Sequence, residues 1–299
     1  MIRSTDHNVP SAQDGDDRPE PAADVVKNGT MRDRAMSQDT EPLGGGAVND
    51  GRVLREGQTV RRPLPANAAT LHALLKHVRS RSDVEVPHPL RVEDQTEILT
   101  YVEGEVGLSP YAPWVSTRDS LVTVATLLRR FHDATVGWQP PSDAAWSTAF
   151  ADPAGGSVIC HNDVCIENVV FRDGAAAALI DFDFAAPGRR VWDVAMTARY
   201  WVPMTDPTLP AAVERGVEDP IERLRTFVDA YGLGRADRRI LAGVLLEAEE
   251  ASRRFVADQA ASGSPAFVAM WDAPARARFE RKFAWLQANS GAITRRLLN

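Results

Sequence analysis

Only two of the 299 residues are cysteine, Cys160 and Cys165. Two thiols cannot frame a fold with disulfides. Their C-x4-C spacing is not the redox C-x-x-C, and a zinc site would find only His161 and Asp163 nearby. They read as reduced thiols filling apolar space. Positive charge is also short: Lys plus Arg number 34 against 41 Asp plus Glu, a net charge of −7. A net acidic surface repels phosphates, which argues against nucleic acid as a partner. No run approaches 18 uncharged apolar residues, so no membrane span is expected. The opening MIRSTDHNVPSAQDGDD lacks the apolar core of a secretory signal, and the expected compartment is the cytoplasm.

What is present suits a packed core. Hydrophobic residues make up 44% and charged residues 25%, and the length fits two domains or one bilobal domain. Residues 1–40 are rich in Asp, Gly, Pro, Ser and Gln and read as a disordered tail. Residues 41–104 read as a small sheet carrying one helix. A hairpin pattern covers 52–62, leucines at helical spacing cover 66–79, and a second hairpin turns at Asp94-Gln95. Residues 105–299 read as mainly helical. Leu121, Val124, Leu127, Leu128 and Phe131 form one apolar stripe over about 16 residues. A short strand at 158–160 and a hairpin around Arg172-Asp173-Gly174 follow, then helices over 191–201, 210–231, 235–258 and 274–297. The expected class is α+β: a sheet-plus-helix lobe over 41–104, a larger mainly helical lobe over 105–299, and Gly104 at the junction.

The chemistry concentrates in 158–195, VICHNDVCIENVVFRDGAAAALIDFDFAAPGRRVWDVA. Asp163 and Asn168 fall on one loop, and Asp181 falls on the loop after the next hairpin. Strand–loop–strand–loop order brings both loops to one sheet edge. Phosphoryl transfer needs such a set: one carboxylate to accept a hydroxyl proton, and an amide oxygen with a second carboxylate to hold Mg²⁺.

This segment resembles the aminoglycoside phosphotransferase/choline kinase family, of bilobal protein-kinase-like fold. His161-Asn162-Asp163-Val164-Cys165-Ile166-Glu167-Asn168 matches the kinase pattern H-R-D-L-x-x-x-N. Ile180-Asp181-Phe182-Asp183 stands at the D-F-G position, and Trp192-Asp193-Val194-Ala195 is similar to the family's D-L-A element. TVRRP, LHALLKHV and the HND loop look most like a subset of bacterial phosphotransferases, some linked by name to trifolitoxin immunity.

The resemblance implies ATP (or GTP) and Mg²⁺ as cofactors, with a small-molecule hydroxyl as acceptor. It implies Asp163 as proton acceptor and Asn168 and Asp181 as metal ligands. His161 is expected to scaffold its loop, and Asp193 to accept loop amides. Asp183 is either a second metal contact or a support for Asp163. Main-chain groups of Tyr101, Val102 and Glu103 are implied for the base of the nucleotide.

The first lobe departs from the pattern. Arg61 or Arg62 stands where the kinase lysine is expected, alternation leaving open which one faces the cleft. Leu71 or His72 falls where the partner glutamate should sit, so nothing evident orients the arginine. Gly44-Gly45-Gly46 reads equally as a shortened phosphate-covering loop or a linker. Glu247, Glu249 and Glu250 offer an acidic patch for an amine-bearing acceptor such as an aminoglycoside. Pairing of Glu249 with Arg253 and Glu250 with Arg254 is the favoured alternative. Tyr200 and Trp201 read as core packing rather than as an aromatic wall. The activity expected is phosphotransfer from ATP to an alcohol. The alternative is a kinase-like immunity protein that sequesters a toxin or antibiotic without turnover. Oligomeric state is not legible.

Overall fold

A computed structural model describes residues 40–43, 52–208 and 219–299. The expected tail up to residue 39, the Gly44–Gly46 run and residues 210–218 lie outside the described residues.

The first part is a five-stranded antiparallel sheet, in the order β1-β2-β3-β5-β4. Its strands are β1 (Thr40–Pro42), β2 (Leu54–Glu56), β3 (Thr59–Pro63), β4 (Pro89–Glu93) and β5 (Thr96–Thr100). Both expected hairpins form. Their turns carry Gly57 at φ +59° and Asp94 at φ +53°, left-handed positions that glycine and aspartate tolerate. Helix α1 (Ala68–Arg81) is inserted between β3 and β4 and buries Leu71, Leu74, Leu75 and Val78. Asn67 precedes it but makes no side-chain cap; its amide is turned to the carbonyl of Asp183 (3.5 Å). In the β3–β5 register Arg62 stands opposite Glu97 and Arg61 opposite Ile98, so the two arginines leave opposite faces.

After β5 the chain crosses to the helical part through Gly104, at φ +141°. A Cβ there would lie 2.5 Å from Val170 Cγ1 and 2.6 Å from the Phe171 carbonyl. Glu105 and Phe171 exchange two main-chain hydrogen bonds beside it (2.9 and 2.7 Å). The crossing is therefore held close to the first strand of the site hairpin.

Helix α2 (Arg118–Thr135) spans 18 residues, capped by the Thr117 hydroxyl accepting from the Ser120 N–H. Its expected stripe is fully buried. Each such side chain contributes roughly 1.5–3 kcal/mol of burial free energy. Two short strand pairs lie beside it: β6 (Val158–Cys160) with β9 (Ala186–Gly188), and β7 (Val169–Arg172) with β8 (Ala175–Leu179). Asp173 and Gly174 both take positive φ in the β7–β8 turn, as a tight hairpin requires.

Helices α3 (Arg190–Trp201), α4 (Pro220–Tyr231), α5 (Arg235–Ala261), α6 (Pro265–Met270) and α7 (Ala273–Leu298) complete the described chain. Helix α5 packs on α3 and α7, and α4 packs on α2. Strands β1 and β9 and helix α6 have no counterpart in the sequence reading. Each is too short to show a period. The antiparallel sheet with one helix, followed by a helical part, is the α+β class expected.

Replacing Gly104 with alanine should cost about 2 kcal/mol or more, from the positive φ and the two contacts. Urea denaturation of the variant beside the parent measures it. An unchanged midpoint would contradict the close crossing.

Candidate active site

Two loops meet at the ends of β6 and β8. The first, 161–168, carries Asp163 and Asn168; the second, 180–185, carries Asp181 and Asp183. Three hydrogen bonds clamp them together. His161 Nε2 donates to the Ile180 carbonyl (3.0 Å), and Asn162 Nδ2 donates to the Phe184 carbonyl (2.8 Å). The Ile180 N–H donates to the Asn168 carbonyl (3.0 Å). Asn162 at φ +67° and Asp181 at φ +61° hold left-handed backbone inside these loops. Such positions cost about 1–3 kcal/mol each and persist where surrounding bonds over-determine them.

His161 is wholly buried, and burial keeps its pKa below the ordinary histidine value. Its ring lies 4.4 Å from that of Phe182, between the paired loops. Asp193, at the start of α3, accepts from the N–H groups of His161 (2.7 Å) and Asn162 (2.9 Å). His132 Nε2 meets the same carboxylate at 2.9 Å. Burial opposes ionisation of Asp193, but the His132 hydrogen bond and the neighbouring histidines hold its pKa below the usual range. His132 Nδ1 is bonded in turn to the Tyr231 hydroxyl (2.6 Å). His132, Cys160 and Asp193 stand close enough for a metal, but both ring nitrogens are committed, so this is a support for the loop. The geometry therefore puts His161 and Asp193 in loop-holding positions.

Asp163 is fixed through both oxygens. Tyr200 donates its hydroxyl to Oδ1 (2.8 Å), and Asn168 Nδ2 donates to Oδ2 (3.0 Å). Burial, with the nearby Asp181 charge, raises the Asp163 pKa to about 6, the Tyr200 hydrogen bond pulling the other way. Sequence reasoning placed Tyr200 in the core. Its helical position eight residues after Trp192 could not show that its hydroxyl reaches a loop 37 residues away.

The arginine question resolves geometrically. Arg61 turns outward and pairs with Glu93 (3.2 Å). Arg62 turns into the cleft and reaches three carboxylates. Nε donates to Glu97 Oε1 (2.6 Å), Nη1 to Asp181 Oδ1 (2.9 Å) and Nη2 to Asp183 Oδ1 (2.7 Å). The sequence offered no residue to orient this arginine; Glu97 on β5 does so. His72 of α1 binds the other oxygen of Glu97 at 2.6 Å. Burial alone would raise the Glu97 pKa, but the His72 hydrogen bond and the Arg62 charge bring it below the usual carboxylate range.

Between sheet and loops lies a cleft of about 1170 Å³ including its open mouth, walled by Val60, Arg62, Tyr101, Val102, Asn168 and Asp181 among others. Tyr101 and Val102 line it. Glu103 does not, its carboxylate accepting from Arg55 (2.9 Å) and Gln58 (3.0 Å). The Tyr101 N–H is bonded to the Gln58 carbonyl (2.9 Å), and its ring lies under the Arg55 guanidinium (3.7 Å).

Asp181, Asp183 and Asn168 supply hard oxygen donors, the chemistry that suits Mg²⁺. A cationic guanidinium already rests between the two aspartates, so the donor set fits a positive ion.

The acidic patch on α5 departs from expectation. Glu249 is buried and pairs with Lys282 (2.8 Å) and Arg199 (3.5 Å), not with Arg253. Helix rotation turns it inward, where packing against α3 and α7 supplies cations that no sequence spacing announces. Glu250 takes both Arg253 (2.6 Å) and Arg254 (2.8 Å). Glu247 is exposed and lies with Arg189 and Arg239 in a separate surface depression. Cys160 and Cys165 are free thiols.

Replacing Asp193 with alanine should cost about 3 kcal/mol or more, because two buried loop amides and His132 lose their acceptor. Urea denaturation at pH 7 tests this. A loss below about 1 kcal/mol would show that the loop holds itself.

Comparison with known proteins agrees with this geometry. The model of the family described as "Phosphotransferase enzyme family" matches residues 138–231. The trifolitoxin immunity protein of Rhizobium leguminosarum bv. trifolii is 29% identical over 240 residues, which are 76% of this chain and 89% of that protein. A choline/ethanolamine kinase family protein from Mesorhizobium loti superposes with a TM-score of 0.57 at 17% identity, over 89% of this chain and 94% of that one. The gentamicin complex of APH(2″)-IIa superposes with a TM-score of 0.51 at 13% identity, over 86% and 93%. The matched segment contains every residue of the two paired loops, and the fold of the chain is similar to that of these two structures.

Proposed function

We propose that the protein transfers the γ-phosphoryl group of ATP or GTP to a hydroxyl of a small molecule. One observation carries this reading: Asn168 and Asp181 line an open cleft between a sheet and a helical body, and Asn168 holds Asp163 beside it. Residues 41–104 then act as the nucleotide-covering lobe and residues 105–299 as the lobe that holds acceptor and metal.

In this mechanism the acceptor hydroxyl takes the place of the Tyr200 hydroxyl at Asp163 Oδ1 and gives its proton to that carboxylate. The hydroxyl oxygen bonds to the γ-phosphorus while the bond from that phosphorus to the bridging oxygen breaks, and the nucleoside diphosphate leaves. Asn168 Nδ2 keeps Asp163 aimed, leaving the Asn168 amide oxygen for a cation. Asn168, Asp181 and Asp183 would hold Mg²⁺, which supplies neutralisation of the phosphate charge. Arg62 lies within the same cleft and offers a planar fork for phosphate oxygens. The main chain at Val102, which lines the cleft, takes the base. Catalysis is then mostly positioning and charge stabilisation.

The acceptor is a small hydroxyl compound. The aminoglycoside reading draws support from the gentamicin-bound fold relative, but not from α5, whose Glu249 and Glu250 are already neutralised. The immunity reading draws support from the name of the Rhizobium relative. Its other argument, an arginine with nothing to orient it, loses force to the Arg62–Glu97 pair.

Four outcomes are expected. Millimolar ATP with Mg²⁺ raises the melting temperature, as any ligand of the folded state does; no shift removes the nucleotide reading. In a screen of hydroxylated amines and antibiotics with labelled ATP, Asp163→Asn abolishes transfer and leaves nucleotide binding intact. Nucleotide binding without transfer to any acceptor leaves the immunity reading. With an acceptor in hand, kcat/KM falls about tenfold per pH unit below the Asp163 pKa of about 6, since only the ionised carboxylate accepts a proton. Tyr200→Phe moves that acid limb to higher pH, because the hydroxyl it removes stabilises the ionised form. A limb that stays in place would contradict the hydrogen bond's role.

A further inference from the structure

Arg62 spends its guanidinium in an unusual way. Each of its three hydrogen-bonding nitrogens meets a different carboxylate: Glu97 at 2.6 Å, Asp181 at 2.9 Å and Asp183 at 2.7 Å. The three partners are not equivalent. Glu97 is 2% exposed, faces Arg62 directly across the β3–β5 ladder, and is gripped from behind by His72. Asp181 and Asp183 are 31% and 21% exposed, and Asp181 lines the cleft. The buried arm is costly to break, because it would strand a desolvated charge. The two outer arms end on partly exposed carboxylates, which water can resolvate, and are less costly to exchange.

Those outer arms also occupy the oxygens that a divalent cation would take. A guanidinium and a divalent ion repel one another at contact distance. The cation can enter only when the fork leaves, and the groups best able to draw the fork off are phosphate oxygens, which accept its paired N–H groups.

We propose that Arg62 closes the divalent-cation seat of the nucleotide-free protein and swings, with Glu97 as its fixed pivot, onto the nucleotide phosphates. Metal and nucleotide therefore bind together, and the metal alone binds poorly. Glu97 is a positioning residue here, acting from β5 through Arg62. The swing onto phosphate rests on the nucleotide reading above; the closing of the seat does not.

The test is Mn²⁺ titration of the full chain, following free Mn²⁺ by electron paramagnetic resonance, with and without ADP. Without nucleotide, Arg62→Gln should bind Mn²⁺ at least about tenfold more tightly than the parent, since three carboxylates lose their one cation. Addition of ADP should tighten Mn²⁺ binding by about tenfold or more in the parent and much less in the variant, whose affinity for ADP itself falls. Glu97→Gln should weaken ADP binding while Mn²⁺ alone stays as weak as in the parent, a split that general loosening of the sheet would not produce. Circular dichroism melts check folding. If Arg62→Gln does not fold, Arg62→Lys decides, because one ammonium cannot span both aspartates and should free the seat in part. Equal Mn²⁺ affinity of the parent and the Arg62 variants without nucleotide overturns the proposal. Failure of the parent to bind ADP would instead remove the nucleotide reading, and the nucleotide-free comparison would still decide the closed seat.

Discussion

Three carboxylates, Asp163, Asp181 and Asp183, are held together in one partly dehydrated cleft against their mutual repulsion. The rest of the structure answers to that constraint. Left to themselves, neighbouring carboxylates removed from water would protonate or move apart. Here the side chains of His161 and Asn162 and the Ile180 N–H donate to main-chain carbonyls and lock the two loops, and Arg62 brings a fixed positive charge to two of the three acids. The third, Asp163, is held by neutral donors, Tyr200 and Asn168, and burial raises its pKa to about 6, as it does that of Asp183 despite Arg62.

The support extends well below the loops. Asp193 fixes the first loop by its amides, His132 fixes Asp193, and Tyr231 fixes His132, so α2, α3 and α4 all contribute to one buried chain of bonds. On the opposite side, Glu97 and His72 fix Arg62, so β3, β5 and α1 contribute to the second support. The lobes thus approach the chemistry from two sides, and Gly104 lets the chain pass between them at close range. Rigid anchoring behind a small number of exposed oxygens is what a site needs when positioning is its main contribution.

The acceptor side has a different character. Glu249 looked from its spacing like a surface residue paired along its own helix. It is instead buried between Arg199 and Lys282, and Arg199 in turn lies over the Tyr200 ring. The helix that might have drawn a cationic acceptor has its charges met internally.

The sequence by itself determined the elements and the chemistry-bearing loops. Periodicity placed α1 and α2, turn residues placed the hairpins at Gly57, Asp94 and Gly174, and the spacing of His161, Asp163, Asn168, Asp181 and Asp193 singled out residues of the two paired loops and their buried support. These are local signals, set by a helical turn, a strand's alternation or a tight loop. Only the tertiary structure decided which of Arg61 and Arg62 faces inward, that Glu97 rather than a residue of α1 orients it, that Tyr200 reaches Asp163, and that Glu249 is buried. Each of those depends on a strand register or a helix rotation fixed by packing. Arg62 and Glu97 lie 35 residues apart, and nothing short of the assembled sheet sets them face to face.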